Sequence, residues 1–194
     1  MFYQELTLMP DYGMNINHIW SRIFTQFHLA VASQMTNEKD SHIGVSFPNY
    51  FFEDKNVGLG NKLRIFAVDK EILENLNIAQ WLSHCKDYVH IKNIKEVPSD
   101  VTTFATYKRW RAPKSINFYI RRYLKRHPEC TVDEARNKYN ANQLLQTYPP
   151  FMDLYSETNN CKYRLFIKKV SKESPNYTSF NSFGLSGEST VPEF

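Results

Sequence analysis

In the first half of the chain, a segment whose hydrophobic residues have helical spacing lies among short runs typical of strands. Between residues 15 and 33, apolar side chains recur every three or four positions, which predicts a helix with one buried face. The turn-rich stretch 50–60 is expected to form a loop. Runs rich in β-branched and aromatic residues predict strands at 2–9, 43–47, 62–68 and 89–94, with a broken helix over 71–85. The order β-α-β-β-α-β predicts a ferredoxin-like lobe that ends near residue 98.

The second half predicts a further α+β lobe. A strand is expected at 102–110, two more at 151–156 and 163–170, and a short strand with a glycine turn at 182–187. Between them, Ser115 can cap a helix that Pro128 stops, and a second helix opens with the Thr131 and Glu134 capping box. The predicted organisation is therefore α+β with two domains, 1–98 and 99–194.

Charge concentrates at the start of this second lobe. Residues 101–127 contain eight of the 24 Lys and Arg residues and no acid, so most of the net charge of +4 originates there. On the predicted helix, Arg121, Arg122, Lys125 and Arg126 form one stripe. Such a run is commonly a solvated face. Because no acid is present to offset the repulsion, an anionic partner such as a phosphate backbone is the functional interpretation.

Composition excludes several other classes. No apolar run approaches the roughly 20 residues needed to span a bilayer, and no signal-peptide pattern is present. The three cysteines are odd in number and far apart in sequence, which argues for reduced thiols and a cytoplasmic protein. The six histidines do not pair at metal-ligand spacing, and glycine-rich phosphate loops are absent. We therefore expect neither a metal nor another cofactor.

Two side chains are candidates for chemistry. His28 lies at the edge of the apolar face of the first helix, where it is either a structural core-edge histidine or a general base, since imidazole exchanges protons near neutral pH. Ser156 ends a predicted strand and is, taken alone, an ordinary hairpin serine. It has no nucleophile elbow around it, so a serine hydrolase is poorly supported.

Five short motifs occur in one order along the chain. They are IGVSFP (43–48), KLRIFA (62–67), RRYLKRH (121–127), YRLFI (163–167) and FGLS (183–186). Together they closely resemble the CRISPR-associated endoribonuclease of subtype I-F, which cuts precursor CRISPR RNA at its repeat hairpin. The resemblance covers nearly the whole chain, and it implies a ferredoxin-like lobe followed by a lobe that presents an arginine-rich helix to RNA.

The resemblance also implies roles for particular residues. The catalytic histidine falls on His28, the catalytic serine on Ser156, and a second hydroxyl on Thr158. An aromatic residue that stacks under the terminal base pair falls on Tyr163. The remaining implied RNA-binding positions are Arg109, Arg111, Lys114, Arg121, Arg122, Lys125, Arg126, His127 and Phe183.

The sequence departs from the family pattern at two positions. Arg111 stands where the family usually has glutamine in an Arg-x-Gln pair. On an extended segment, Arg109 and Arg111 would project from the same side, and Arg111 would either read guanine or hold a phosphate. Phe183 replaces a tyrosine, so it can pack on the histidine but cannot donate a hydrogen bond.

The resemblance implies a metal-independent cut by a ribose 2′-hydroxyl, which leaves a 2′,3′-cyclic phosphate. Its implied partners are the CRISPR repeat RNA hairpin, retained as crRNA, and other subunits of a type I-F surveillance complex, without a membrane. Two alternatives remain open on the residues alone. One is a hairpin-binding structural subunit that does not cut, and the other is a DNA-binding regulator that uses the same basic helix.

Overall fold

A computed structural model describes residues 1–10, 13–35, 40–53, 56–139, 147–156 and 159–194 of the 194-residue chain. It is a mixed α/β structure with antiparallel sheets, which confirms that part of the predicted fold class. The helices and strands, in chain order, are β1 (Phe2–Leu8), α1 (Ile16–Gln34), β2 (Gly44–Ser46), β3 (Phe51–Glu53), β4 (Asn56–Gly58), β5 (Lys62–Ala67), α2 (Lys70–Leu76), α3 (Ile78–Trp81), a 3₁₀ helix (Ser83–Tyr88), β6 (Val89–Ile91), β7 (Lys95–Glu96), β8 (Thr103–Trp110), α4 (Ile116–Arg126), α5 (Val132–Lys138), β9 (Phe151–Ser156), β10 (Cys161–Lys172) and β11 (Val191–Glu193).

The first sheet is formed by the N-terminal strands. Its order is β2-β5-β1-β6, and β7 pairs with β1. All of these pairings are antiparallel. Helix α1 packs against this sheet through the apolar face that its periodicity predicted, and its buried residues are Ile19, Trp20, Ile23, Phe24, Phe27, Ala30 and Val31.

The second sheet has the order β11-β8-β10-β9, again antiparallel, with β9 at one edge. Alternation along β9 buries Met152 and Leu154 on one face and leaves Asp153 and Tyr155 exposed on the other. The two sheets share a core, in which the Tyr107 hydroxyl donates a hydrogen bond of 3.3 Å to the Phe47 carbonyl. Burial and the adjacent Glu193 carboxylate raise the pKa of the Tyr107 phenol.

Contacts divide the described chain into two compact units. One contains Met1–Trp110 with Pro149–Phe194, and the other is Arg111–Tyr148. Both sheets belong to the first unit, although they lie on either side of residue 98. The predicted domains 1–98 and 99–194 therefore do not coincide with the compact units, and they stay a prediction.

The smaller unit consists mainly of α4 and α5. The Ser115 side chain caps α4 by accepting a hydrogen bond from the Phe118 amide, and Thr131 and Glu134 form the predicted capping box of α5. Between the two helices, Tyr139 stacks on Tyr119 with ring centroids 5.7 Å apart.

Two of the predicted elements were wrong. The stretch 50–60, expected to be a loop, contains the β3–β4 hairpin, whose three-residue strands are too short to show a period. At 182–187 the expected glycine turn is present, with Gly184 at a left-handed φ of 67°, but the short strand expected beside it does not form. The last strand is instead β11, which pairs with β8.

A buried ion cluster connects β1 to its neighbours. Glu5 is only 3% exposed and pairs with Arg64 at 2.8 Å, Lys92 at 2.7 Å and Lys62 at 3.5 Å. Burial alone would raise the pKa of this carboxyl. Hydrogen bonds from Lys92 and Arg64, with the charges of Arg64 and Lys62, outweigh burial and hold the pKa at about 2.

None of the helices in the described part of the chain is both long enough and apolar enough to cross a membrane.

Candidate active site and nucleic-acid interface

Helix α1 positions His28. The helix begins after Asn15, whose side chain accepts a hydrogen bond from the Asn17 amide. Its apolar stripe then fixes the rotation of the helix against the core. His28 lies beside that stripe and is half-buried, with Phe27 fully buried before it. The His28 side chain is therefore only partly shielded from solvent.

A single hydrogen bond orients the imidazole of His28. Its Nδ1 lies 3.1 Å from the carbonyl oxygen of Ser182. A carbonyl oxygen only accepts hydrogen bonds, so we assign the proton of the neutral ring to Nδ1. In that tautomer Nε2 has a free lone pair and can accept a proton.

Phe183 holds the same ring from one side. Its ring stacks on that of His28 with centroids 3.9 Å apart and planes 7° apart. Phe183 also stacks on Phe24, at 6.3 Å, so the two rings on α1 share one aromatic neighbour. This is the packing expected of a phenylalanine at this position.

The turn that carries Ser182 and Phe183 is fixed to the core. The Asn181 side chain accepts a hydrogen bond of 2.8 Å from the Phe183 amide, and the Gly184 amide donates to the Asn181 carbonyl at 2.8 Å. At Gly184, a Cβ would lie 2.8 Å from the Val45 side chain, so the positive φ and the close approach both require glycine. Sequence analysis missed Asn181 and Ser182, since both act locally or through the main chain.

Ser156 ends β9 and shares the face of Met152 and Leu154, which is the buried face of the sheet. Its Oγ accepts a hydrogen bond of 3.3 Å from the Asn159 amide. Among the described residues, no hydrogen bond joins Ser156 to His28. Thr158, the second predicted hydroxyl, lies outside the described residues.

Tyr163 and Arg109 lie on that same face of the second sheet. Tyr163 pairs with Leu154 across the β9–β10 ladder, and Arg109 pairs with Ile167. The Arg109 guanidinium lies 5.8 Å from the centre of the Tyr163 ring. Burial raises the pKa of the Tyr163 phenol, although the Arg109 charge opposes this. The structure thus brings these two predicted RNA-binding residues together.

Arg111 does not belong to the same strand. Strand β8 ends at Trp110, and Arg111 begins the smaller compact unit. The strand was predicted to end at Trp110, so the expectation that Arg109 and Arg111 project from one side of an extended segment stays a prediction.

The basic stripe of α4 is solvent-exposed. Its four cations are Arg121, Arg122, Lys125 and Arg126. Within the described ranges, none of them forms an ion pair with an acidic side chain. On the other side of the helix, Tyr123 packs on Tyr139 and Ile120 is buried. The helix thus presents a row of uncompensated positive charge to solvent.

The two remaining predicted positions flank this helix. Lys114 precedes it and is exposed, and its amide donates to the Tyr119 hydroxyl at 3.3 Å. His127 caps its C-terminus, packs on Tyr123 at 4.4 Å between ring centroids, and contacts the Glu129 carboxylate at 3.3 Å. Over the same described ranges, no three His, Cys, Asp or Glu side chains are grouped to hold a metal ion.

Comparison with known proteins gives consistent matches over the whole length. The chain is 28% identical to "CRISPR-associated endonuclease Cas6/Csy4" of Pseudomonas aeruginosa (strain UCBPP-PA14) over 196 residues, covering 99% of this chain and 98% of that protein. It is 25% identical to the protein of the same name from Escherichia coli (strain UTI89 / UPEC) over 194 residues, covering 99% and 98%.

A solved structure titled "Characterization of a Cas6-related gene from Pyrococcus furiosus" aligns over 98% of both chains, with 12% identity and a TM-score of 0.38, which is too low to support an argument. The family described as "CRISPR-associated protein (Cas_Csy4)" matches residues 3–194. This chain therefore belongs to the Cas_Csy4 family of CRISPR-associated proteins, as its five motifs predicted.

Proposed function

We propose that this protein is an endoribonuclease that cleaves precursor CRISPR RNA at the 3′ base of the repeat hairpin. Its relatives from Pseudomonas aeruginosa and Escherichia coli are named CRISPR-associated endonucleases. The observation that carries the proposal is the His28 imidazole, which the Ser182 carbonyl and the Phe183 ring hold in one orientation, and whose Nε2 has no hydrogen-bond partner among the described residues. A histidine held in this way is suited to remove a proton.

In the proposed reaction, Nε2 of His28 takes the proton of a ribose 2′-hydroxyl. The 2′-oxygen attacks the adjacent phosphorus, and the bond from phosphorus to the 5′-oxygen of the next nucleotide breaks. The products are a 2′,3′-cyclic phosphate and, after the leaving oxygen gains a proton, a 5′-hydroxyl. Since the nucleophile belongs to the RNA, the protein supplies alignment and a base, and no step requires a metal ion.

Ser156 is proposed to hold the ribose in line for attack. The Ser21 hydroxyl donates to the Asp153 carbonyl, which joins α1 to the edge strand β9. From Asp153 to Ser156 the strand advances about 10 Å, and from Ser21 to His28 the helix advances about 10.5 Å. Asn15, Asn17 and His18 line a cleft with residues 153–155 of β9, whereas Thr25, farther along α1, lines one with Tyr155, from which we infer that helix and strand run in the same direction. From these distances we propose that Ser156 lies level with His28.

The hairpin stem is proposed to bind the exposed cations. A regular A-form major groove is too narrow for side chains, but the ends of a short hairpin are open, so arginines of α4 reach phosphates there. The proposed RNA-binding residues are Arg109, Arg111, Lys114, Arg121, Arg122, Lys125, Arg126, His127, Thr158, Tyr163 and Phe183. Of these, Tyr163 stacks under the terminal base pair, with the Arg109 guanidinium over its ring.

We further infer a ferredoxin-like lobe over 1–98 and an RNA-binding lobe over 99–194. The order β2-β5-β1-β6, with helices between β1 and β2 and between β5 and β6, supports the first lobe. After the cut, the proposed enzyme keeps the hairpin product and joins other subunits of a type I-F surveillance complex, in the cytoplasm.

A second candidate is a hairpin-binding subunit without nuclease activity. The observation that favours it is the α4 stripe, whose charge is sufficient for binding without any catalysis. The DNA-binding regulator uses the same stripe. A 2′-deoxyribose at the cut distinguishes the three functions: it stops cleavage by the enzyme, does not affect RNA binding by the subunit, and is irrelevant to a DNA binder.

The test is a single-turnover cleavage assay in EDTA on the hairpin of the repeat array beside the gene. We expect cleavage by the wild type, and about a 10²–10⁴-fold slower cut by His28→Ala with hairpin affinity within a few-fold. His90→Ala is the matched control, because His90 is an exposed histidine on β6. Loss of wild-type activity on chelation would refute the metal-free mechanism, and an active His28→Ala would refute the base.

A further inference from the structure

Two open clefts along α1 form one groove. The first, of about 390 Å³, lies between α1, the region of Trp81 and His84, and the end of β9. The second, of about 540 Å³, lies between the start of α1 and the β9–β10 hairpin. Both are lined by Ser21 and Tyr155, so they meet at these two residues. We name the combined surface the α1 groove.

The groove lies beside the proposed catalytic base. Ser21, Thr25 and His28 are spaced at i, i+4 and i+7 and therefore share one face of α1. Ser21 and Thr25 line the groove, and His28 follows Thr25 by one turn. Tyr155 precedes Ser156 directly, although its side chain projects to the opposite face of β9. The groove thus leads to the position where the proposed cut occurs.

The lining of the groove has the chemistry of a single-strand binding site. Tyr155 is 48% exposed, and Trp81 is a second, half-buried aromatic residue in the wall. Arg22 and Lys162 are exposed and, over the described ranges, form no ion pair with an acid. Aromatic faces that stack bases, combined with cations that follow the phosphates, are how proteins bind single strands without reading sequence.

Charge in the groove is unbalanced. Asp153 is the acid that lines it among the described residues, and its carboxylate already pairs with Arg164 at 3.1 Å. Arg22 and Lys162 therefore remain to neutralise phosphates. A polyanion matches this surface, whereas an apolar ligand would leave both cations without a partner.

We propose that the α1 groove binds the single-stranded RNA on the 3′ side of the cut. This inference rests on the proposed function, because the hairpin occupies the 5′ side and the groove receives the strand that leaves. The 3′ strand adds binding energy only until the phosphodiester breaks. Without its connection to the hairpin, the short 3′ product dissociates while the hairpin stays bound.

The test compares two hairpin RNAs. One carries a 2′-deoxyribose at the cut and a short single-stranded 3′ extension, and the other ends at the cut. We expect the wild type to bind the extended RNA roughly five- to tenfold more tightly, which is the effect of about one stacked base. Tyr155→Ala and, separately, Lys162→Ala should remove most of that difference, while both variants bind the RNA that ends at the cut as the wild type does.

Two control variants match these changes. Tyr177 is also 48% exposed, and Lys168 is exposed on β10 without an acidic partner in the described structure, so Tyr177→Ala and Lys168→Ala should keep the preference for the extended RNA. Equal wild-type affinity for the two RNAs, or a preference that survives in both groove variants, would overturn the groove and leave the proposed function standing. A wild type that binds neither RNA would overturn both.

Discussion

Reversal of the charges at Arg121 and Arg126 tests whether α4 binds the RNA stem. Both side chains are exposed and, within the described chain, free of acidic partners, so their substitution by glutamate removes no ion pair from the fold. Each reversal lowers the net charge by two, so the double variant brings the net charge from +4 to zero. The apolar side of the helix, which contains the buried Ile120, is unchanged.

The size of the effect follows from counterion release. Each phosphate neutralised by a cation contributes about 0.9 to the slope of log affinity against log salt. Loss of two contacts flattens the slope by about 1.8. When the salt concentration rises from about 50 to 200 mM, the fold-loss of affinity should therefore be roughly ten times smaller for the double variant than for the wild type. Binding at low salt is itself weaker, because the glutamates repel the phosphates.

The assay is equilibrium binding of the repeat hairpin at a series of salt concentrations. The control carries Lys168→Glu and Lys172→Glu, two exposed lysines outside α4 that form no ion pair in the described structure, and has the same net charge. We expect the control to weaken binding slightly and to keep the wild-type slope. If the α4 variant and the control show the same affinity and the same salt slope, binding depends on net charge and not on the position of α4. If the α4 variant binds like the wild type, the stripe is a solvated face.

Two further predictions concern the site and the fold. Phe183→Ala should slow cleavage about ten- to hundredfold in a single-turnover assay at saturating enzyme, because it frees the imidazole stacked 3.9 Å away. Phe183→Tyr should cleave normally, and equal losses in both variants would contradict the stacking role. Because the pKa of Glu5 is depressed from 4.5 to about 2, its ion cluster should contribute up to about 3 kcal/mol above pH 4.5 and lose this as the pH falls toward 2. In denaturation experiments, the free energy of unfolding of Glu5→Gln should be lower than that of the wild type by this amount at pH 7 and nearly equal to it near pH 2. A difference between the two proteins that does not change with pH would contradict the prediction.

Local sequence patterns predicted the helices, because their buried faces and first residues depend on neighbouring positions in the chain. The face of α1 follows from its period, and α4 and α5 begin at the capping residues Ser115 and Thr131. Strand β11 was missed because Pro192 argues against a strand, yet β11 lies at the edge of its sheet, where a proline is tolerated.

The candidate site was predicted less completely than the fold. The resemblance implied roles for His28, Ser156 and Tyr163, but their grouping depends on which face of a sheet or helix each occupies. Strand β8 ends at Trp110, where the sequence predicted its end, and Arg111 lies beyond it. The choice between a base and a phosphate for Arg111 therefore depends on the RNA.

The orientation of His28 shows why part of this site has no sequence signal. Its hydrogen-bond partner is the Ser182 carbonyl, which any residue at that position supplies. What places the carbonyl is the turn around Gly184, whose own carbonyl accepts a hydrogen bond of 3.1 Å from Val45 in β2. Residues 154 positions apart in sequence thus meet because a glycine turn docks on the first sheet. The glycine, more than the serine side chain, therefore determines the tautomer that the proposed base requires.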